Sequence, residues 1–162
     1  MQFARLLESK VNKILSTKHN LLLLGPRQTG KSTLIESIIQ DLKIKNKLVY
    51  KLQDIYTYQQ ALKDPGSITR AVEEELKSGN TLLFIDEVQK IPELLNEVHC
   101  LIEKYRYKFI LTGSSLRKIR RKGVNLLAGR ALGYNLYPLT AIELKEDFNL
   151  NHSLNYGALP SV

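Results

Sequence analysis

The sequence predicts an α/β protein with a parallel sheet of about five strands and helices on both faces. Three observations predict it. Short apolar runs are bounded by turn residues, apolar residues recur at helical spacing between those runs, and the two patterns alternate along the chain.

Leu6, Leu7, Val11, Ile14 and Leu15 share one helical stripe, so the chain opens on an amphipathic helix that ends near Lys18, His19 and Asn20. Residues 21–24, four leucines followed by glycine, are a buried strand. After a glycine-containing turn, Leu34, Ile35, Ile38, Ile39 and Leu42 form the apolar stripe of a second helix. Residues 47–53 form a second strand, and 55–63 and 68–77 are helices parted by the turn Asp64-Pro65-Gly66. Residues 81–85 are a third strand. Leu94, Leu95, Val98, Leu101 and Ile102 mark a helix that Pro92 begins at a first-turn position, and 109–112 form a fourth strand. Towards the end, 116–121 read as a short helix and 133–137 as a fifth strand. Thr140 caps a helix running to Lys145, with Glu143 completing a capping box.

No internal repeat, low-complexity segment or linker interrupts this pattern, so residues 1–162 are expected to form a single domain. A chain of 162 residues buries about two-thirds of the surface its unfolded form exposes, enough for one core. The single cysteine, Cys100, excludes an internal disulfide. It lies in an apolar-periodic segment, which predicts a buried structural thiol and fits a reducing cytoplasm. The N-terminus alternates apolar and polar residues and does not read as a signal peptide. The longest apolar runs, 21–24 and 82–85, fall far short of the ~20 residues a membrane helix needs, so no membrane partner is expected. The net charge of +8 favours anionic partners without specifying any chemistry.

Gly25-Pro26-Arg27-Gln28-Thr29-Gly30-Lys31-Ser32 has the Walker A spacing, and it sits between a buried strand and an amphipathic helix, where the chemistry requires it. The glycines let the backbone approach a polyanion closely, so that consecutive N–H groups point at phosphate oxygens and the helix N-terminus adds positive potential. Gly25, Pro26, Arg27, Gln28, Thr29, Gly30, Lys31, Ser32 and Thr33 are thus the expected nucleotide-contacting set. Lys31 bridges the β and γ phosphates, and the Ser32 hydroxyl serves Mg²⁺. Arg27 and Gln28 protrude, which suits solvated side chains or contact with phosphate or a neighbouring subunit.

The apolar strand that includes 82–85 finishes in Asp86 and Glu87, and in a parallel sheet ligands bind beyond the carboxyl ends of the strands. This is a Walker B pattern, with Asp86 as an Mg²⁺ ligand and Glu87 as the base for the water that attacks the γ phosphate. No Asn-Lys-x-Asp motif reads guanine, so ATP is preferred to GTP. The histidines and Cys100 lack zinc-ligand spacing, and no Gly-x-Ser-x-Gly elbow surrounds Ser114 and Ser115.

These residues resemble the prokaryotic ATPases of the AAA+ superfamily, which often carry a C-terminal domain of unknown function. The landmarks are the loop from Gly25 to Ser32, Asp86-Glu87-Val88-Gln89-Lys90-Ile91-Pro92, Leu111-Thr112-Gly113-Ser114-Ser115, Ala128-Gly129-Arg130, and Tyr137-Pro138-Leu139-Thr140. The resemblance implies a three-layer α/β/α P-loop sandwich with strand order 5-1-4-3-2. It also implies a sensor hydroxyl from Ser114 or Ser115 near the γ phosphate, and Arg130 as an arginine finger on a neighbouring subunit or a solvated arginine. Family members continue past a Tyr-Gly-x-Leu-Pro segment, which stands here at residues 156–160, so the lid and C-terminal domain are expected to be missing from this chain.

Three functions stand open at this stage. The first is Mg-dependent ATP binding with slow hydrolysis, the chain acting as a homo-oligomer or with a separately encoded C-terminal partner. The second is a non-catalytic nucleotide-binding remnant or half of a split ATPase. The third is a nucleic-acid-binding module that uses the basic run Arg117, Lys118, Arg120, Arg121 and Lys122, against which stands the plainer reading of a solvated face.

Overall fold

The computed structural model describes residues 3–17, 19–76, 81–105, 108–114 and 131–160. Five parallel strands form one sheet: β1 Asn20–Leu24, β2 Asn46–Lys51, β3 Thr81–Asp86, β4 Lys108–Gly113 and β5 Ala131–Asn135. Their order is β2-β3-β4-β1-β5, the order the family resemblance implied. The helices are α1 Glu8–Leu15, α2 Lys31–Asp41, α3 Ile55–Lys63, α4 Gly66–Leu76, α5 Leu94–Tyr105, α6 Ala141–Leu144 and α7 Leu150–Tyr156.

Successive residues of a strand face opposite sides of the sheet, and the leucines of β1 divide accordingly. Leu21 and Leu23 pack with Val11 and Ile14 of α1 and with Ile35 and Ile38 of α2. Leu22 and Leu24 pack with Ile68 and Val72 of α4 and with Leu94, Leu95 and Val98 of α5. The run of leucines is apolar throughout because both faces of the strand are covered. Burial of these two layers supplies the main drive to fold, at roughly 25 cal/mol for each Å² of apolar surface removed from water.

Three expectations need correction. The fifth strand covers residues 131–135 rather than 133–137, because it pairs residue for residue with β1, from Asn20 opposite Ala131 to Leu24 opposite Asn135, and ends where β1 ends. Cys100 is exposed rather than buried, since the buried stripe of α5 is Leu94, Leu95, Val98 and Leu101, and a residue two places after Val98 points away from it. The first helix begins at Glu8, with Leu6 and Leu7 in the turn before it and Leu6 exposed. The helix expected at 116–121 lies outside the described residues. The helix α7, capped by Asn149, whose side chain accepts the His152 N–H, was not expected at all.

The predicted capping box is present: the Thr140 hydroxyl accepts the Glu143 N–H, and the Glu143 carboxylate accepts the Thr140 N–H. The same carboxylate accepts the Leu6 N–H and, at 3.0 Å, Nε of Arg5, with both side chains of this ion pair less than one-tenth exposed. Arg5 also donates Nη1 to the Thr29 carbonyl and Nη2 to the Tyr137 carbonyl, tying the N-terminus, the loop after β1 and the segment after β5 together. Burial works against ionising Glu143, but the N–H groups of Thr140 and Leu6 and the Arg5 guanidinium outweigh it, and the carboxyl lies below its ordinary 4.5. A carboxylate with a depressed folded-state value contributes stability in full above the unfolded value and loses it as the pH falls through the folded one. Glu143→Ala should therefore cost about 3 kcal/mol near neutral pH by leaving Arg5 buried without its carboxylate. In urea titrations the gap from the parent should narrow as the pH drops below the ordinary carboxylate range.

A candidate phosphate site at the strand ends

Because all five strands are parallel, their carboxyl ends share one edge of the sheet, and the order sets the ends of β1, β4 and β3 side by side. Gly25 leaves β1 with a φ of 147°, and its N–H donates to the Gly113 carbonyl at the end of β4. A Cβ at Gly25 would stand 2.0 Å from the Leu136 carbonyl oxygen, so only glycine fits beneath the chain that leaves β5. Gly30 closes the loop at a φ of 85°, in the left-handed region, and its carbonyl accepts the Leu34 N–H to start α2.

Within this turn the Thr29 hydroxyl donates to the Pro26 carbonyl, while Arg27 and Gln28 are exposed. Lys31, the first residue of α2, is buried, and its ammonium donates to the carbonyls of Gly25 at 3.0 Å and Pro26 at 2.7 Å. Burial pulls the Lys31 pKa below its ordinary value, Glu87 and Asp86 oppose that shift, and Arg27 adds to it. The ammonium thus sits in the low-dielectric rim of a cavity with two carboxylates nearby.

Asp86 and Glu87 are 3% and 5% exposed. The Ser32 hydroxyl lies 2.9 and 2.8 Å from the two carboxylate oxygens of Asp86, one of which is also hydrogen-bonded by the Thr112 hydroxyl. That same Thr112 oxygen accepts the Glu87 N–H at 3.1 Å. Glu87 has a φ of 60°, left-handed and sparsely populated for a residue with a side chain, which swings the chain out of β3 into a short 3-10 turn over Val88–Lys90. Gln89 of that turn contacts both Glu87 and Ser114, the residue after β4.

A cavity of about 430 Å³ opens here, lined by Gly30, Lys31, Ser32, Thr33 and Glu87 together with Phe3, Leu34 and Pro160. The start of a helix leaves its first N–H groups without intrahelical partners, and the first three residues of α2 border this space. The sequence-predicted residues Lys31, Ser32, Asp86, Glu87 and Ser114 therefore converge on one edge, whereas Ser115, Arg130 and the basic run at 117–122 lie outside the described residues. Sequence reasoning assigned no site role to Arg5, Thr112 or Gln89. Thr112 and Gln89 stand inside the landmark segments, but Arg5 carries no signal of its own.

Residues 17–145 match the model of an AAA domain. The chain belongs to the AAA domain family. It is a P-loop domain of the nucleotide-binding kind, 24% identical over 155 residues to an uncharacterized protein of Haemophilus influenzae. That match takes in 85% of this chain and 38% of the relative, so this chain spans well under half of the relative's length. Among solved structures it resembles the Walker-type ATPase of Pyrococcus abyssi, with a TM-score of 0.62 and 18% identity over 90% of this chain and 56% of the other. It also resembles the Aeropyrum pernix Orc1 protein solved in complex with DNA, with a TM-score of 0.61 and 14% identity over 90% and 48% of the two chains. The Pif1 helicase of Candida albicans follows at 0.59 and 16%, over 91% and 42%. At these identities the likeness is one of fold. No helix among the described residues is long and apolar enough to cross a membrane.

Gly25→Ala should distort the junction of β1 and β5 and destabilise the AAA domain by about 3 kcal/mol, since the obstructing atom is backbone and cannot rotate away. Gly30→Ala meets nothing closer than an arginine nitrogen at 3.6 Å, and its smaller cost comes from the left-handed φ alone. Denaturant midpoints of the two variants check this order.

Proposed function

We propose that this AAA domain binds ATP with Mg²⁺ in the 430 Å³ cavity and hydrolyses it slowly. The observation that carries the proposal is the Ser32 hydroxyl resting on both oxygens of the Asp86 carboxylate. A hydroxyl and a carboxylate meeting at one point are hard oxygen donors of the kind Mg²⁺ takes, and the pair fits that ion better than a thiolate- or imidazole-seeking metal. Ser32 and Asp86 are the residues that would hold it, Asp86 directly or through a bound water. When bound, it neutralises charge on the β and γ phosphates.

Gly30, Lys31, Ser32 and Thr33 offer backbone N–H groups to the phosphates, and the Lys31 ammonium supplies the fixed positive charge. Phe3, Leu34 and Pro160 line the same cavity and offer apolar surface to the base. Glu87 orients a water and takes its proton as the water oxygen bonds to the γ phosphorus. The bond from that phosphorus to the β–γ bridging oxygen breaks, and ADP and phosphate leave. The Ser114 hydroxyl holds the same water from the β4 side. A purely nucleotide-binding module needs no base, so the presence of Glu87 in the cavity wall favours hydrolysis.

Lys31→Ala should remove measurable ATP binding in calorimetry. Glu87→Gln should bind ATP as the parent does and lose turnover by about a hundredfold or more. If both variants bound and hydrolysed ATP like the parent, the proposal would fail. Arg130, on the family resemblance, completes the site of a neighbouring copy. Turnover per chain should therefore rise with protein concentration, and Arg130→Ala should abolish that rise; a concentration-independent rate would remove the residue from the site.

A further inference from the structure

The turn after β3 sends three consecutive side chains in three directions. Val88 enters the core, Lys90 donates to the Leu52 carbonyl beyond β2, and Gln89 reaches across to Ser114 at the end of β4. The turn is launched by the left-handed backbone of Glu87, so the conformation that places the glutamate also places Gln89.

Gln89 uses its whole amide. Its Nε2 donates to Oε2 of Glu87 and, at 2.9 Å, to the Ser114 hydroxyl oxygen, while its Oε1 accepts the Ser114 N–H at 3.2 Å. The chemistry of the partners fixes which way the amide faces. A backbone N–H can only donate and a carboxylate only accept, so Oε1 must face Ser114 N and Nε2 must face Glu87. A flip would set donor against donor on one side and acceptor against carboxylate on the other. The glutamate thus has one oxygen held by an uncharged donor that is itself fastened at two points to the end of the neighbouring strand.

We propose that Gln89 is a positioning residue, which sets the orientation of the Glu87 carboxylate and makes it follow the position of Ser114. The proposal rests on the reading of Glu87 as the base, and it adds a physical route by which the end of β4 acts on it. A displacement of Ser114 moves the amide that holds the carboxylate. A single uncharged side chain therefore couples the proposed sensor to the proposed base without touching the nucleotide.

Two variants of the full chain test this. Gln89→Met keeps the length and removes every hydrogen bond, whereas Gln89→Glu keeps an acceptor for the Ser114 N–H and removes the donor to Glu87. Without nucleotide, amide exchange of Ser114 followed by NMR should quicken by about fivefold in Gln89→Met and stay near the parent value in Gln89→Glu. The side-chain amide signals of Gln89 should shift in Glu87→Ala. With ATP, both Gln89 variants should keep the parent KM and lose about tenfold or more in kcat, and Ser114→Ala should cost less in the Gln89→Met background than in the parent. Unchanged Ser114 exchange together with unmoved Gln89 signals would overturn the linkage. Altered signals with a parental kcat in both variants would overturn the positioning role. A parent that turned over no ATP would sink the hydrolysis reading instead, while the nucleotide-free signals would still decide whether Gln89 joins Glu87 to Ser114.

Discussion

The insertion of β4 between β1 and β3 is the constraint from which the chemistry of this molecule descends. Parallel strands end on one edge, and this order makes the phosphate loop, the acidic strand end and the Ser114 segment immediate neighbours although they are far apart in sequence. The ladder continues into the site as side-chain bonds. Gly25 donates to the last residue of β4, Thr112 of β4 binds Asp86 of β3, and the Glu87 N–H returns to Thr112. Ser32 then closes the circuit from α2. Lys31, Asp86, Glu87 and Thr112 each have at least one hydrogen-bond partner, without which burial of two carboxylates and an ammonium would not be tolerated.

A second network holds the loop through Arg5, which lines the same cavity. Arg5 joins the Thr29 carbonyl to Glu143 and Tyr137, so the turn is braced by residues from the two ends of the described chain. The loop is clamped between this brace and the sheet. Its two glycines adopt backbone angles that residues with side chains avoid, and Gln28 and Glu87 adopt left-handed ones at a cost of roughly 1–2 kcal/mol each. Strain of this size persists only where surrounding contacts over-determine the conformation, and here they do so around a cavity.

Most of the fold could be read from the sequence because most of it is governed by burial. The doubly covered strand at 21–24, the stripes of α2 and α5 and the glycine spacing are local patterns with one physical solution each. What escaped reading lacked such a pattern. The helix α7 buries none of its residues, so no apolar period marks it, and only the Asn149 cap signalled its start. The limits of β5 follow its partner β1 and cannot be found in residues 131–137 taken alone. Cys100 was misjudged because an apolar-periodic segment has two faces and the phase of the stripe, not its presence, decides burial. At the site, the residues proposed to touch a ligand follow from spacing. The roles of Arg5 and Thr112 depend on contacts made across 24 residues or more, which no motif contains, and although Gln89 meets Glu87 within one landmark segment, its contacts with Ser114 span 25 residues.

The electrostatics of Lys31 show why such a site is drawn to a polyanion. Burial lowers the lysine's hold on its proton, and the charges of Glu87 and Asp86 offset that loss only in part. The ammonium's hydrogen bonds among the described residues go to two loop carbonyls, which are dipoles and not charges. On the proposed reading, a phosphate entering the cavity would add negative charge beside the lysine and meet the N–H groups at the start of α2 in the same step. Hydrophobic burial accounts for the sheet, whereas this edge sets an ammonium and the N–H groups at the start of α2 beside one cavity. On the proposed reading, that grouping directs phosphate to one place on a protein whose net charge of +8 would otherwise favour anions anywhere.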